Sequence, residues 1–195
     1  MSMRIFGSLL LLTASVLWLS GADPARAGAD VEELAETCRS CHGDEASLPS
    51  DPSYPILAGQ EFYYLYVQLK DFKSGLRKNE LMQDIVAGLD RATMKAIAGY
   101  WSEKPWPRTT FRMRDGDDVI AEKLVNSGQC VACHLGTFEG NSRVPRLRNQ
   151  QPGYLEKTML DYKYRRRGNA PDIAALFTDI PDEEIAALAR YLAAF

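Results

Sequence analysis

The stretch CRSCH at residues 38–42 returns as CVACH at residues 130–134, and these two copies of C-x-x-C-H decide what the chain folds around. Together they use all 4 cysteines and both histidines of the 195-residue sequence. In this spacing the two thiols attach a c-type haem covalently, and the adjacent histidine coordinates its iron. The sequence therefore predicts two covalently bound haem c groups. The residues predicted to hold them are Cys38, Cys41, His42, Cys130, Cys133 and His134.

Three other uses of paired cysteines fit these motifs less well. A thioredoxin-like redox pair lies in a βαβ context, which the sequence lacks, and it requires no histidine. A shared zinc site usually places its two cysteine pairs about 15–20 residues apart, and Cys41 and Cys130 are separated far more widely. Two disulfides, which are common in exported proteins, leave the histidine after each pair unexplained. Haem attachment accounts for every motif residue.

The first 27 residues have the pattern of a secretory signal peptide. Arg4 is followed by an apolar stretch over residues 5–19, and the small residues Ala25 and Ala27 offer a cleavage site. A membrane-spanning helix needs about 20 apolar residues, so the shorter stretch favours export with cleavage over a membrane anchor. We expect a mature periplasmic chain that begins near Gly28.

An internal repeat divides the mature chain into two similar units. PILAGQ at residues 55–60 recurs as PRLRNQ at residues 145–150, an offset of 90. At the pair Leu89 and Ile180 the offset has become 91. One extra residue has therefore entered the second copy between Asn169 and Ile180. The segment at 104–114 carries two prolines that break the periodicity. The predicted domains are therefore 28–103 and 115–195, joined by a linker at 104–114.

Each unit is predicted to be helical, and strand signals are scarce. Helices are expected to lead into the motifs at about 31–41 and 118–130, and aromatic and leucine residues recur at helical spacing over 61–73 and 153–164. The last helices should begin near Asp90 and at Pro181. Units of roughly 75–80 residues bury little apolar surface by themselves, so a covalent haem would complete each core. The predicted fold class is all-α.

The two motifs, the P-x-L-x-x-Q-x(3)-Y-L stretches, the R-x-N segments and the final helices with A-x-Y together resemble the two-domain dihaem class I cytochromes c, the cytochrome c4 family. The chain is also similar to the cytochrome subunits of flavocytochromes c. The resemblance covers nearly the whole mature chain. It implies two tandem cytochrome c domains that are related by a pseudo-twofold axis, with their haems close enough to exchange electrons.

The same resemblance implies roles for four residues outside the motifs. Pro55 and Pro145 are expected to offer their carbonyls to the rings of the two haem-ligating histidines, which would fix the ring orientation. Arg77 and Arg167 are placed to meet haem propionates. A solvated helix end is the open alternative for both arginines.

The family usually supplies a methionine as the sixth iron ligand of each haem, and only the first copy has one in place. Met82 lies where the family places this ligand, whereas Met94 falls on the apolar face of a helix and is expected in the core. In the second copy Met82 maps onto Asp172 or Ile173, and residues 169–176 contain no methionine. The second iron could be five-coordinate, or bound by water, lysine, tyrosine or a displaced Met159. Two explanations of this difference stay open: the methionine ligand was lost by drift, or the second haem has a distinct task.

Charge is unevenly distributed between the two units. Residues 28–103 hold 7 Lys/Arg against 13 Asp/Glu, whereas residues 104–195 hold 14 against 12. Such a dipole orients a protein toward partners of opposite field. Export and the acidic balance disfavour nucleic-acid binding.

These observations predict an electron carrier rather than an enzyme, with no catalytic residues of its own. It would be diffusible or loosely associated with the membrane, and it would take electrons from a respiratory complex or dehydrogenase and pass them to an oxidase or reductase. Two alternatives stay open: an electron-transfer subunit bound to a periplasmic sulfur-compound dehydrogenase, and a protein whose second haem binds a small ligand.

Overall fold

The computed structural model describes residues 24–195. Residues 1–23, which include the apolar stretch of the predicted signal peptide, lie outside the described residues. The described part contains isolated β-bridges but no strand, which confirms the all-α prediction. Its helices are α1 Pro24–His42, α2 Phe62–Ser74, α3 Glu80–Ala87, α4 Arg91–Ser102, α5 Asp117–Ser127, α6 Cys130–His134, α7 Pro152–Lys163, α8 Pro171–Phe177 and α9 Asp182–Ala194.

Helices α1–α4 form the first domain around one apolar core. Helix α4 packs against α1 and α2, and α3 packs against α2. The Asp90 side chain accepts a hydrogen bond from the Thr93 amide and so caps α4 at its N-terminus, where the sequence predicted it. From this helix Met94, Ile97 and Trp101 are buried in the core. Removing such side chains from water stabilises the domain by about 1.5–3 kcal/mol each.

Helices α5–α9 form the second domain around a separate core. Helix α9 packs against α5 and α7, as α4 packs against α1 and α2. Its buried residues Ile185, Leu188 and Leu192 recur at helical spacing, and they pack against Leu124 and Leu155. Three acidic residues stand in its first turn, where they complement the helix dipole.

The route into the second motif differs from the sequence prediction. The expected helix over 118–130 is interrupted, because α5 ends at Ser127 and α6 begins only at Cys130. Gly128 follows the end of α5, and Gln129 adopts a left-handed conformation with φ 51°. In the first domain α1 continues without a break through the motif. The short helices α3 and α8 were also not predicted.

Reciprocal hydrogen bonds join the two domains. The Gln150 side-chain amide accepts from the Ile56 N–H at 2.8 Å and donates to the Ile56 carbonyl at 3.0 Å. The Gln60 amide accepts from the Arg146 N–H at 2.8 Å and donates to the Arg146 carbonyl at 3.0 Å. Ile56 and Arg146 are related by the repeat offset of 90, and so are Gln60 and Gln150. Such self-complementary pairing is what a twofold relation produces, and it explains why the glutamine is present in both repeats.

The segment between the domains contacts both of them. The Trp106 indole N–H donates to the Asn149 carbonyl at 3.3 Å, and the Arg146 guanidinium lies 4.3 Å from the centre of the indole ring. On the other side, a Cβ at Gly59 would come within 3.0 Å of the Trp106 backbone nitrogen, so glycine permits this approach. The domain bounds 28–103 and 115–195 and the linker 104–114 stay predictions. Among the described residues, no helix is long and apolar enough to cross a membrane.

Candidate haem-binding site

Both C-x-x-C-H motifs line one continuous cavity of about 1580 Å³. Its walls are mostly apolar, and it passes from the first domain through the domain interface into the second. Pockets for one small molecule usually measure about 300–1,000 Å³, so this cavity is too large for a single group of that size. Its size suits two large apolar cofactors.

The first motif presents a neutral imidazole to the cavity. His42 is buried, and its Nδ1 lies 2.8 Å from the Pro55 carbonyl. A carbonyl only accepts, so Nδ1 donates the hydrogen and Nε2 keeps its lone pair for a metal. Burial lowers the pKa of His42, which favours the neutral form that binds iron.

The second motif repeats this arrangement in a more exposed setting. His134 Nδ1 lies 3.0 Å from the Pro145 carbonyl, and burial lowers the pKa of the ring. Yet His134 is only half-buried and Cys133 is exposed, whereas His42 is buried and Cys41 half-buried.

The four cysteines form no disulfide with one another, and the two motifs do not form a protein-only metal site. Within the part of the chain that the structure describes, no cluster of three or more His, Cys, Asp or Glu side chains could hold a metal ion. The shared zinc site considered above is therefore not formed. Paired thiols, an imidazole with a free Nε2 and apolar walls fit a covalently attached haem in each domain.

Met82 lies in the third position of α3 and lines the cavity. Asn79 caps this helix by accepting from the Met82 amide at 2.9 Å. The core residue Met94 does not line the cavity.

The structure establishes which residue of the second domain corresponds to Met82. Lys73 Nζ donates to the Leu89 carbonyl, and Lys163 Nζ donates to the Ile180 carbonyl. These bonds confirm Leu89 and Ile180 as a pair at the offset of 91. Ile173 stands at the same offset from Met82, is likewise the third residue of its short helix and lines the cavity, whereas Asp172 does not line it. Of the two residues that the sequence left open, Ile173 is therefore the counterpart and Asp172 is not.

Arg77 and Arg167 meet at the centre of the domain interface. Arg77 donates to Gln68 Oε1 at 2.9 Å and to the Tyr154 hydroxyl at 3.1 Å. Arg167 donates to the same Gln68 oxygen at 2.8 Å and to the Tyr64 hydroxyl at 3.3 Å. Arg167 is 5% exposed, so the alternative of a solvated helix end is wrong for this residue.

The two guanidinium groups make the interface electropositive. Burial alone would raise the pKa of the Tyr154 hydroxyl, but the charges of Arg77 and Arg167 outweigh it and lower this pKa to about 7. The buried carboxylate of Asp71 contacts the network through Asn169. A buried region of this kind attracts anionic groups.

Sequence reasoning missed the roles of Gln60, Gln150, Tyr64, Tyr154 and Gln68. The first four stood out as repeated residues at the offset of 90, but the repeat does not tell which surfaces meet. Gln68 has no repeat signal, because Thr158 stands at the matching position of the second domain.

No family model matches the sequence. The chain is 30% identical over 184 residues to the thiosulfate dehydrogenase electron acceptor of Stutzerimonas stutzeri (strain A1501), which covers 89% of this chain and 81% of that protein. It is 30% identical over 207 residues to cytochrome c4 of Azotobacter vinelandii, covering 94% of this chain and 95% of that protein. The crystal structure of reduced recombinant cytochrome c4 from Pseudomonas stutzeri is similar at a TM-score of 0.76 and 27% identity, over 89% of this chain and 100% of that one.

Proposed function

Since this chain belongs to the cytochrome c4 family and is a dihaem electron-transfer cytochrome with two covalent haem c groups, we propose that it carries electrons in the periplasm from a dehydrogenase to a terminal acceptor. The observation that carries this proposal is the single cavity that both motifs line. Two cofactors held in one continuous space would be placed to exchange electrons inside the protein.

Each domain holds its haem through the residues of its own motif. Cys38 and Cys41 make the covalent bonds in the first domain, and Cys130 and Cys133 make them in the second. His42 and His134 coordinate the irons through Nε2. The carbonyls of Pro55 and Pro145 keep the two rings in this orientation, because each accepts the hydrogen of Nδ1. Met82 is the second protein ligand of the first iron, and a thioether ligand raises the reduction potential.

Arg77 and Arg167 receive the haem propionates at the interface. Both guanidinium groups line the cavity, and their contacts to Gln68 and to tyrosine hydroxyls hold them in place. Anionic propionates would offset a positive charge that is costly to bury. The haems supply the one-electron chemistry, while these residues orient them and adjust their potentials.

The relative from Stutzerimonas stutzeri suggests which dehydrogenase donates the electrons. That protein is an electron acceptor of thiosulfate dehydrogenase. We therefore propose a sulfur-compound dehydrogenase of this kind as the donor. The acidic first domain and the basic second domain favour opposite ends for donor and acceptor.

A stable subunit of such a dehydrogenase is the second candidate, and the same relative favours it. The carrier exchanges partners, whereas the subunit stays bound. Size-exclusion chromatography of the mature protein with thiosulfate dehydrogenase distinguishes them: co-elution supports the subunit, and separate elution supports the carrier.

The proposal is tested on the protein exported from a host that attaches haem c. The mass of the mature chain should show two haems, and a potentiometric titration should show two one-electron steps. Thiosulfate with thiosulfate dehydrogenase should reduce the haems, while thiosulfate alone should not. A chain with one haem would overturn the dihaem assignment, and haems that stay oxidised would overturn the proposed donor.

A further inference from the structure

Ile173 occupies in the second domain the place that Met82 occupies in the first. Both are the third residue of a short helix, both are half-buried, and both line the cavity. Three residues further along, Ile85 and Leu176 also correspond and also line the cavity. The two helices thus present matching faces, and the one difference that matters for iron is the side chain. A thioether sulfur is a soft ligand for iron, whereas isoleucine has no lone pair.

Other donors in the second domain are held elsewhere. Lys157 forms an ion pair with Asp161, and Lys163 Nζ bonds the Ile180 carbonyl at 2.6 Å and Asp182 at 2.7 Å. The Tyr164 hydroxyl also binds Asp182, at 2.9 Å. Both histidines of the sequence already serve as motif ligands.

Tyr154, Met159 and Tyr162 also line the cavity from the second domain, and each has a structural role. The Tyr154 hydroxyl accepts a hydrogen bond from Arg77 at 3.1 Å in the domain interface. Met159 is 6% exposed and packs in the core of the second domain, at the position of Leu69 in the first repeat. The Tyr162 hydroxyl lies 3.5 Å from Asn169 Oδ1. The Arg167 guanidinium lies over the Tyr162 ring, 4.6 Å from the centre of that ring. Burial raises the pKa of Tyr162, which disfavours the phenolate that would bind iron.

The cavity wall around Ile173 is apolar and reaches the surface. Leu176 and Phe177 line it from the same helix, and Leu176 is 46% exposed. A small molecule therefore has a short path to this wall. The apolar side chains of Ile173, Leu176 and Phe177 favour a neutral ligand over an anion.

We propose, on the premise that both haems are attached as described above, that the second haem has no side chain as its sixth ligand. The apolar pocket formed by Ile173, Leu176 and Phe177 instead takes a small neutral diatomic ligand such as carbon monoxide or nitric oxide. The first haem, with Met82, is closed to such ligands. The protein therefore combines an electron-transfer haem with a ligand-binding haem.

Carbon monoxide added to the fully reduced protein tests this proposal by visible absorption. One of the two haems should shift, with the bound amount measured against the haem content. Ile173→Met should abolish this binding and introduce the near-red absorption band of methionine-ligated ferric haem. Ile173→Leu is the matched control, because it keeps an apolar side chain of equal size and should bind carbon monoxide as the unmodified protein does.

Met159→Leu separates the proposal from its closest rival. If Met159 ligates the second iron, the unmodified protein binds no carbon monoxide and Met159→Leu gains the ability. We expect instead that both proteins bind it equally. Two attached haems with no carbon monoxide bound, or with both haems binding it, would overturn the inference and leave electron transfer intact. Binding by a protein that its donor cannot reduce would overturn the proposed function alone.

Discussion

The two haem sites of this chain descend from one repeat, and they differ most on the side that faces the motif histidines. On the histidine side they match: His42 and His134 each bond the carbonyl of a proline, Pro55 or Pro145. On the facing helices they diverge, with Met82 in the first domain and Ile173 in the second.

If the second iron is open as proposed, this difference means that a duplicated domain has acquired a second task without loss of its fold. Cofactor attachment depends on the motif, and domain pairing depends on the reciprocal glutamines, so both stay constrained. The helix at the facing side would contribute only one side chain to the iron, so a change there would alter the chemistry with little effect on packing. The second site is also the more exposed, since Cys133 is exposed and Cys41 is half-buried.

The largest expected effect comes from Met82→Ile, which removes the difference between the two facing helices. This variant gives the first site the side chain of the second, and the side chains have similar volume, so the fold should persist. Loss of the thioether should lower the reduction potential of the first haem. The reduced variant should then bind carbon monoxide at both haems, twice the amount bound by the unmodified protein.

Met94→Ile is the control for this experiment. Met94 is a buried core methionine that does not line the cavity. The substitution should cost stability, typically under 1.5 kcal/mol for a volume-conserving exchange, and leave carbon monoxide binding unchanged. If Met82→Ile binds no more than the unmodified protein, Met82 is not the ligand.

The next effect concerns the reciprocal glutamines. Gln150→Leu leaves the buried N–H and carbonyl of Ile56 without partners, which should lower the free energy of unfolding by about 3 kcal/mol. Gln60→Leu should cost less, about 1–2 kcal/mol, because Arg146 is half-buried and water can reach its backbone. Urea denaturation of the two variants measures both values.

Each of these two variants should shift the reduction potential of the haem in the other domain more than that of the haem in its own. Ile56 follows Pro55, whose carbonyl holds His42, so Gln150→Leu should shift the potential of the first haem more than that of the second. Gln60→Leu should do the reverse through Arg146 and Pro145. A potentiometric titration resolves the two steps. Equal shifts of both haems in both variants would contradict this coupling between the domain interface and the histidine orientation.

The sequence predicts the cofactors, the helix class and the twofold repeat because each depends on local spacing or on self-similarity. Helix α4 begins directly after Asp90 and α9 directly after Pro181, where capping and charge patterns placed them. The break between α5 and α6 was missed because Gly128 is tolerated inside many helices. The counterpart of Met82 stayed ambiguous because a one-residue insertion can be placed at several positions. The start of α8 and the residues that line the cavity settle it in the folded chain.

The interface network was beyond sequence reasoning for a different reason. Arg77 and Arg167 were predicted to lie near the haems, but their contacts cross from one repeat to the other. Gln68 accepts from both arginines although its own repeat partner is Thr158. A contact between two surfaces depends on how whole domains dock, and local patterns carry no such information.

A smaller effect should come from the charged side chains that join neighbouring helices by hydrogen bonds. In the second domain Asp117 on α5 accepts from Arg190 on α9 at 2.7 Å through both carboxylate oxygens. The hydrogen bonds from Arg190 hold the pKa of this buried carboxyl below its usual value of about 3.9. A depressed pKa contributes stability that is present above pH 4 and is lost as pH falls through the folded-state value.

Asp117→Asn should therefore lower the free energy of unfolding by about 2 kcal/mol at pH 7, and the deficit should shrink as pH falls below 4. Glu32→Gln is the matched control in the first domain, where Arg39 joins α1 to Tyr100 of α4 through an exposed cluster. An exposed ion pair contributes about 0–1 kcal/mol. Thermal unfolding from pH 3 to pH 7 measures both; a deficit for Asp117→Asn that does not change with pH would contradict the assigned role.

The smallest effect should come from the residue before each motif, and its sign should differ between the domains. Gln129 is exposed and adopts φ 51° at the break before α6, a conformation that L-residues other than glycine adopt at a cost of about 1 kcal/mol. Thr37 occupies the same place in the first repeat but lies inside the unbroken α1. Gln129→Gly should therefore raise the free energy of unfolding by about 0.5 kcal/mol after the greater freedom of the unfolded glycine is counted, whereas Thr37→Gly should lower it by a similar amount. Urea denaturation of the two variants measures both changes. A loss of stability in both variants would mean that the helix break before α6 does not persist in solution. Both motifs would then be reached by a continuous helix.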